Sequence, residues 1–112
     1  MTMKYANRYT DRDTLPFEVV DPVSPSELIV REMSCDRLQG WTPRFVMGHC
    51  LNESEQRWDI TSDLEALPFR IRKNKQGEWS DVSGNAYRLA DIPVRFHRFS
   101  FIGGVYHADG DE

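Results

Sequence analysis

The chain has 112 residues, a formal net charge of −4 and 39% hydrophobic residues. This length fits one domain that buries a core without a metal or a disulfide, and the composition excludes a disordered chain. The longest purely apolar runs are too short for a transmembrane helix, and the polar start lacks a signal-peptide core. We therefore predict a cytoplasmic protein without a membrane partner, and Cys35 and Cys50 fit a reducing compartment.

The first third of the chain predicts an arm followed by two strands. Residues 1–14 are polar without a sustained period, which favours a flexible or loosely docked arm on a single domain of residues 1–112. Residues 15–20 predict a short strand that ends before Pro22. Residues 24–38 fit two interpretations: Ser24 to Glu27 has the form of a helix cap, whereas the β-branched residues that follow favour a strand at 28–35. We predict the strand and keep the helix as the alternative.

The middle of the chain predicts short extended pieces separated by turns. Residues 45–51 read as a strand with a bulge at Gly48, and residues 52–56 read as a turn. Residues 57–60 are a further extended piece. Residues 62–65, with the sequence Ser-Asp-Leu-Glu, match a capping box, which predicts one or two helical turns up to Leu67.

The clearest strand pattern lies between Pro68 and Phe101. Phe69 and Ile71 alternate with arginines, and residues 75–77 supply a turn that leads back to Trp79, so we predict a β-hairpin over residues 69–82. A second turn at residues 83–85 precedes strands at 87–89 and 93–102, with a bulge or twist near residues 97–98. Gly103 and Gly104 then lead into residues 105–112, which we predict to be a flexible acidic tail.

Six or seven short strands, with turn signals about every ten residues, are typical of a mainly β protein. We predict a small antiparallel barrel or curled sheet of SH3-like size with one or two short helical turns.

Three pieces of sequence carry a resemblance to a known group of proteins. They are Tyr9-Thr10-Asp11-Arg12-Asp13 near the start, Lys75-Gln76-Gly77-Glu78-Trp79 at the hairpin, and Phe96-His97-Arg98-Phe99-Ser100-Phe101 at the end. Their order and spacing resemble a family of small uncharacterised proteins encoded by bacteria, phages and plasmids. The resemblance implies a β fold and a mobile-element setting, and it brings no known activity with it.

No motif in the sequence predicts catalysis, a metal or a cofactor. Cys35, Cys50, His49, His97 and His107 show no metal-ligand spacing, and no glycine-rich phosphate loop is present. An adjacent His49-Cys50 pair cannot form a nucleophile and base, because neighbouring strand side chains point to opposite faces. We therefore predict a protein without catalytic residues, and an uncharacterised enzyme ranks third among the functions considered.

Charge is segregated along the chain, since residues 70–98 carry +4 and the remainder carries −8. One hypothesis is a small barrel that binds nucleic acid through cations and aromatics of this basic stretch. Its candidate residues are Arg70, Arg72, Lys73, Lys75, Trp79, Arg95 and His97. The same arginines also fit the solvated outer face of an antiparallel sheet, where cations discourage edge pairing.

The leading hypothesis is a protein-interaction module of a phage or mobile element that binds a host or bacterial protein through an acidic surface. An anti-defence inhibitor, such as an anti-CRISPR-like protein, is one instance of this class. The candidate contact residues are Glu27, Glu32, Asp36, Glu53, Glu55, Asp59, Asp63 and Glu65. A homodimer is also compatible with the sequence.

Overall fold

The computed structural model describes residues 3–47, 49–102 and 105–108. It is mainly β, with 54% strand and 3% helix, as the sequence predicts. The strands are β1 (Tyr5–Tyr9), β2 (Asp13–Ser24), β3 (Glu27–Arg37), β4 (Phe45–Val46), β5 (His49–Cys50), β6 (Trp58–Ser62), β7 (Phe69–Lys73), β8 (Trp79–Ser80), β9 (Ala86–Ala90), β10 (Phe96–His97), β11 (Phe99–Ile102) and β12 (Val105–Ala108). A 3-10 turn, η1, spans Glu53–Glu55.

Six of these strands close into an antiparallel barrel. Its strand order is β2-β1-β9-β8-β7-β3, and β2 pairs with β3 to complete the ring. Because the ring is closed, each of the six strands is paired on both sides over at least part of its length. The predicted small antiparallel barrel is therefore confirmed.

The barrel interior is filled by alternate side chains of these strands. Phe17 lies at its centre and contacts Phe69 and Tyr87 edge to face, with ring centroids 5.5 and 5.4 Å apart. Ile71 is fully buried beside Trp79, whereas Arg70 and Arg72 point outward, as the alternation predicts. The buried cluster consists of Ala6, Phe17, Leu28, Val30, Ile71, Trp79 and Tyr87.

The predicted N-terminal arm is wrong for the described residues, because residues 5–9 form an internal barrel strand. β1 pairs with β2 on one side and with β9 on the other. Ala6 and Asn7 are almost completely buried. The Asn7 side chain donates to Ile92 C=O at 3.2 Å and accepts from Val94 N–H at 3.0 Å, so it ties residues 92–94 to the barrel wall.

The ambiguous stretch at residues 24–38 is a strand. β2 and β3 form a long hairpin whose last registered pair is Ser24 opposite Glu27, and Pro25 and Ser26 make the turn. Leu28 and Val30 of β3 pack in the barrel interior, and this burial outweighs the helix-cap pattern.

The helix predicted between Ser62 and Leu67 is not formed. Ser62 ends β6, and Asp63 closes a turn in which its side chain accepts the Glu65 N–H at 3.1 Å. The single short helical turn in the described part is η1, within the segment predicted as a turn. An aspartate that bonds the backbone two residues later favours such a turn over a helix.

The predicted strand at residues 93–102 is divided. Residues 91–95 are irregular, β10 pairs with β2, and β11 pairs with β12 in a separate two-stranded sheet. The break falls at Arg98, where a bulge or twist is predicted. Residues 105–108 of the predicted flexible tail are strand β12, and residues 109–112 lie outside the described residues, as do Gly103 and Gly104.

The predicted strand at residues 45–51 is a short hairpin, with β4 paired to β5. Met47 at its turn has a φ of 51°, a left-handed conformation that is uncommon for a residue with a Cβ. The bulge predicted at Gly48 falls outside the described residues.

β3 and β2 also pair with strands outside the barrel. Where they no longer pair with one another, residues 33–37 of β3 pair with β6, and Asp13 and Thr14 of β2 pair with β10. In the described part of the chain, no helix is long and apolar enough to cross a membrane.

Candidate functional site

The two-stranded extension of β3 and β6, hereafter the ribbon, has two different faces. In its register, Asp36 lies opposite Asp59, and Ser34 lies opposite Thr61. These four side chains share one face, because alternate residues of a strand point to the same side. Met33, Cys35 and Arg37 point to the other face together with Ile60 and Trp58.

The first face of the ribbon is acidic and exposed. Asp36 and Asp59 are exposed and directly opposed, and Glu32 is exposed on the same side of β3. None of these three carboxylates makes an ion pair within the described residues. Like charges directly opposite one another destabilise a strand pair, so this arrangement is not explained by the fold. We call Glu32, Asp36 and Asp59 the acidic face.

The second face of the ribbon is covered by contacts between arginines and the rings of Phe99 and Trp58. The Arg37 guanidinium lies 5.3 Å from the Phe99 ring centroid, and that of Arg95 lies 4.8 Å from the ring of Trp58. The Trp58 indole N–H donates to the Gln56 side chain at 2.7 Å. These contacts to the second face fix the position of the ribbon, and with it the position of the acidic face.

The other predicted acidic residues lie elsewhere. Glu27 bridges to Arg70 at 2.9 Å and to Arg72 at 3.8 Å across the strand pair β3–β7. Glu53 in η1 accepts the Phe99 N–H at 3.3 Å and lies 3.9 Å from Arg98.

The last three predicted acidic residues also lie outside the acidic face. Glu55 is exposed on η1, Asp63 is partly buried at its turn, and Glu65 is exposed in the same loop. Of the eight predicted acidic residues, the structure thus brings three together on one exposed surface, where none of them makes an ion pair within the described residues.

Four of the seven predicted basic residues lie on β7 and its turn. Arg70, Arg72, Lys73 and Lys75 are exposed, but the first two are bonded to Glu27. Arg70 and Arg72 line a cavity of about 270 Å³ together with Ser80, Asp81 and Val82.

Trp79 belongs to the barrel core and is not a surface aromatic. It is 8% exposed, and the Lys73 ammonium lies 5.8 Å from its ring centroid. A buried indole cannot stack on a base, so the aromatic part of the predicted nucleic-acid site is absent from this surface.

Arg95 and His97 are largely buried, so they do not form an exposed surface with the other basic residues. His97 is 1% exposed, and its Nδ1 lies 3.1 Å from Asp13 and 3.2 Å from Arg95. The Gln56 side chain bonds both backbone groups of His97, accepting its N–H at 2.7 Å and donating to its C=O at 2.9 Å. These contacts fix β10 against the segment before β6.

Asp81, which accepts hydrogen bonds from three residues, has a structural role. Burial raises the pKa of Asp81, but hydrogen bonds from Asn85, Tyr87 and Ser83 outweigh this effect and hold the pKa below its ordinary value. The Tyr87 hydroxyl donates to Asp81 at 2.8 Å, and burial together with this carboxylate raises the pKa of Tyr87. The pair closes the turn between β8 and β9.

The thiol of the ribbon is poorly suited to nucleophilic chemistry. Burial raises the pKa of Cys35 to about 11; Arg95 opposes the rise, whereas Glu32 and Asp36 add to it. A thiol is a weak nucleophile until it ionises. The described residues also contain no group of three or more His, Cys, Asp or Glu side chains placed to hold a metal ion.

The opposition of Asp36 and Asp59 was not visible in the sequence. Both residues were candidates, but their contact depends on the register of two strands that are separated by the β4–β5 hairpin and η1. No local pattern encodes such a register, so only the fold identifies the pair.

Comparison with known protein families, with curated proteins and with solved structures finds no match to this chain. The resemblance to small proteins of bacteria, phages and plasmids therefore stays a prediction.

Proposed function

We propose that this protein is a non-enzymatic binding module that recognises a basic surface of a partner protein through the acidic face. The observation that carries the proposal is the direct opposition of Asp36 and Asp59, both exposed and without an ion pair in the described residues. A cation from a partner relieves this repulsion, so binding gains energy that the free protein lacks.

The partner class follows from the charge. A chain of net charge −4 with an open acidic face is attracted to basic proteins and repelled by nucleic acid. Bacterial proteins that bind nucleic acid carry such basic surfaces. Inhibition of a bacterial defence protein by a phage or mobile element is a role that suits this mode of binding, and it agrees with the family resemblance.

The test compares capture of partners by three immobilised proteins from a bacterial lysate, followed by binding measurements with the purified partner. The proteins are the wild type, the double variant Asp36→Asn/Asp59→Asn, and the control Asp21→Asn, which removes an exposed carboxylate of β2 on the barrel. We expect a basic partner that the wild type and the control bind with equal affinity, and that the double variant binds at least about tenfold more weakly. Equal binding by the double variant would refute the proposal.

The alternative function is nucleic-acid binding by Arg70, Arg72, Lys73 and Lys75, and the clustering of these four exposed cations favours it. Its test is a titration of labelled single- and double-stranded DNA and RNA at low salt. Tight, salt-sensitive binding that Arg70→Ala/Arg72→Ala abolishes would support the alternative against the acidic-face proposal. We expect no such binding, because Glu27 already pairs with both arginines.

A further inference from the structure

Among the described residues, no strand pairs with the outer edge of β6, which lies next to the acidic face. β3 is the partner of β6 in the described sheets, and β6 lies at the end of the strand order. The Leu38 N–H donates to Arg57 C=O at 3.0 Å in the same register, which places residues 57, 59 and 61 in the bonded positions of this strand pair. In an antiparallel pair the intervening residues direct their backbone groups away from the partner.

The backbone N–H and C=O groups of Trp58, Ile60 and Ser62 therefore point away from β3. None of these three residues has a backbone hydrogen bond to another described segment. Such an edge is a template for one further strand, which several peptide-binding domains use for recognition.

The side chains beside this edge define what a further strand must carry. On one side of the ribbon lie Asp59 and Asp36, and on the other side lie the half-buried Ile60 and Trp58. An added strand continues both faces of the sheet, so its alternate residues meet carboxylates on one side and apolar groups on the other. The matching segment alternates basic and apolar residues.

A second copy of this chain fits the edge less well. Two β6 strands paired antiparallel about Ile60 place the two acidic faces side by side on one continuous sheet face. Each copy contributes Glu32, Asp36 and Asp59 and a net charge of −4. Repulsion between these carboxylates opposes the dimer, whereas a basic segment neutralises them.

We infer that β6 binds an extended segment of the partner by strand addition, and that this segment alternates Lys or Arg with apolar residues. The inference rests on the proposed function and names how the acidic face engages its partner. Backbone hydrogen bonds to Trp58, Ile60 and Ser62 supply the pairing, and Asp36 and Asp59 select the basic side chains.

The test uses a seven-residue peptide of alternating lysine and valine, acetylated and amidated, and two analogues. In one analogue the valine amide nitrogens are methylated, and in the other the lysine amide nitrogens are methylated. Each analogue keeps the charge but loses the donors along one edge of the peptide. We expect the parent peptide to bind, one analogue to bind at least about tenfold more weakly, and the other to bind like the parent.

Amide hydrogen exchange locates the added strand. In the free protein we expect slow exchange at Asp59 and Thr61, which are bonded to β3, and fast exchange at Trp58, Ile60 and Ser62. The peptide is expected to slow exchange at these three amides. The control Asp21→Asn is expected to respond like the wild type, and Asp36→Asn/Asp59→Asn is expected to bind the peptide at least about tenfold more weakly.

Each contrary result has a distinct meaning. If the parent peptide does not bind, or if both analogues bind like the parent, strand addition is refuted. If both analogues bind like the parent but Asp36→Asn/Asp59→Asn binds the peptide more weakly, the proposed function is still supported. If that variant binds the peptide unchanged, the result counts against both strand addition and the proposed function. A dimer of the free protein in which Trp58, Ile60 and Ser62 are already protected would assign the edge to a second copy.

Discussion

Single side chains join parts of this fold that are distant in sequence. The amides of Asn7 and Gln56 each bond an N–H and a C=O of a remote backbone, at Ile92 and Val94 and at His97 respectively. Each amide thus takes the place of a neighbouring strand. A buried backbone group without such a partner costs about 1–3 kcal/mol, so these two residues fix β10 and the segment that precedes it.

Glu18 makes electrostatic contacts with two other strands through its carboxylate. Arg31 Nε donates to one of its oxygens at 3.0 Å, and the Ser62 hydroxyl donates to the other at 2.7 Å. Burial raises the pKa of Glu18, but the bonds from Ser62 and Arg31 outweigh burial and lower the pKa below its ordinary value of 4.5. The ionised carboxylate therefore joins β2, β3 and β6.

We predict that Glu18→Gln lowers the free energy of unfolding by about 2 kcal/mol at pH 7, because the variant loses a charge-assisted bond. The pKa of Glu18 is lower in the folded protein than in the unfolded chain. Its ionised carboxylate therefore stabilises the fold fully at pH values above the unfolded-state pKa, and this stabilisation is lost as the pH falls through the folded-state pKa. The difference between the variant and the wild type is expected to vanish at low pH. Urea unfolding from pH 7 to pH 3 measures it.

The control for this prediction is Glu65→Gln, which removes an exposed carboxylate and is expected to change little at any pH. A loss for Glu18→Gln that is the same at both ends of the pH range would contradict the electrostatic explanation.

At the scale of elements, the ribbon is the part of the fold in which stability and binding conflict. Its second face buries Met33, whereas its acidic face sets Asp36 opposite Asp59. Local rules that a fold breaks without compensation commonly mark a functional surface. Substitutions in the ribbon are therefore expected to change stability and binding in opposite directions.

We predict that Asp36→Asn stabilises the protein by about 0.5 kcal/mol at low salt, because it removes the cross-strand repulsion from Asp59. The gain is expected to shrink in high salt, where the repulsion is screened. Urea unfolding of Asp36→Asn, Asp59→Asn and the double variant measures the effect, with Asp21→Asn as the control. If the effects of the two single variants are simply additive, the carboxylates do not interact.

The stability gain is expected to accompany weaker binding to the basic partner. Stabilising substitutions at a functional surface commonly reduce function in this way. The same variants therefore connect the stability of the ribbon to the proposed function.

At the scale of the molecule, the barrel depends on strands that meet only after the chain has closed on itself. β1 lies between β2 and β9, and the ring is complete once β2 also pairs with β3. The N-terminal strand is thus an internal part of the wall, although its sequence is polar.

We predict that deletion of residues 1–10 abolishes cooperative unfolding, because it removes β1 and exposes edges of both β2 and β9. Deletion of residues 1–3 retains all of β1 and serves as the control. Thermal unfolding followed by circular dichroism compares the two proteins. A cooperative transition in the longer deletion would show that β1 is dispensable and would support the arm that the sequence predicts.

The sequence by itself determined the class of fold and the β7–β8 hairpin. These signals are local: Phe69 and Ile71 alternate with arginines, and Gly77 and Gly84 take φ values of 83° and 87° in the turns on either side of Trp79. Period-2 alternation and a left-handed turn residue act within a few residues of chain, so a sequence displays them directly.

Only the tertiary structure decided the position of β1, the closure of β2 on β3, the burial of His97 and the opposition of Asp36 and Asp59. Each of these depends on register or packing between segments that are far apart in sequence. The free energy that selects such a register comes from burial of the whole core. Each residue contributes to it through its spatial neighbours, and these neighbours cannot be read from the residues adjacent to it in sequence.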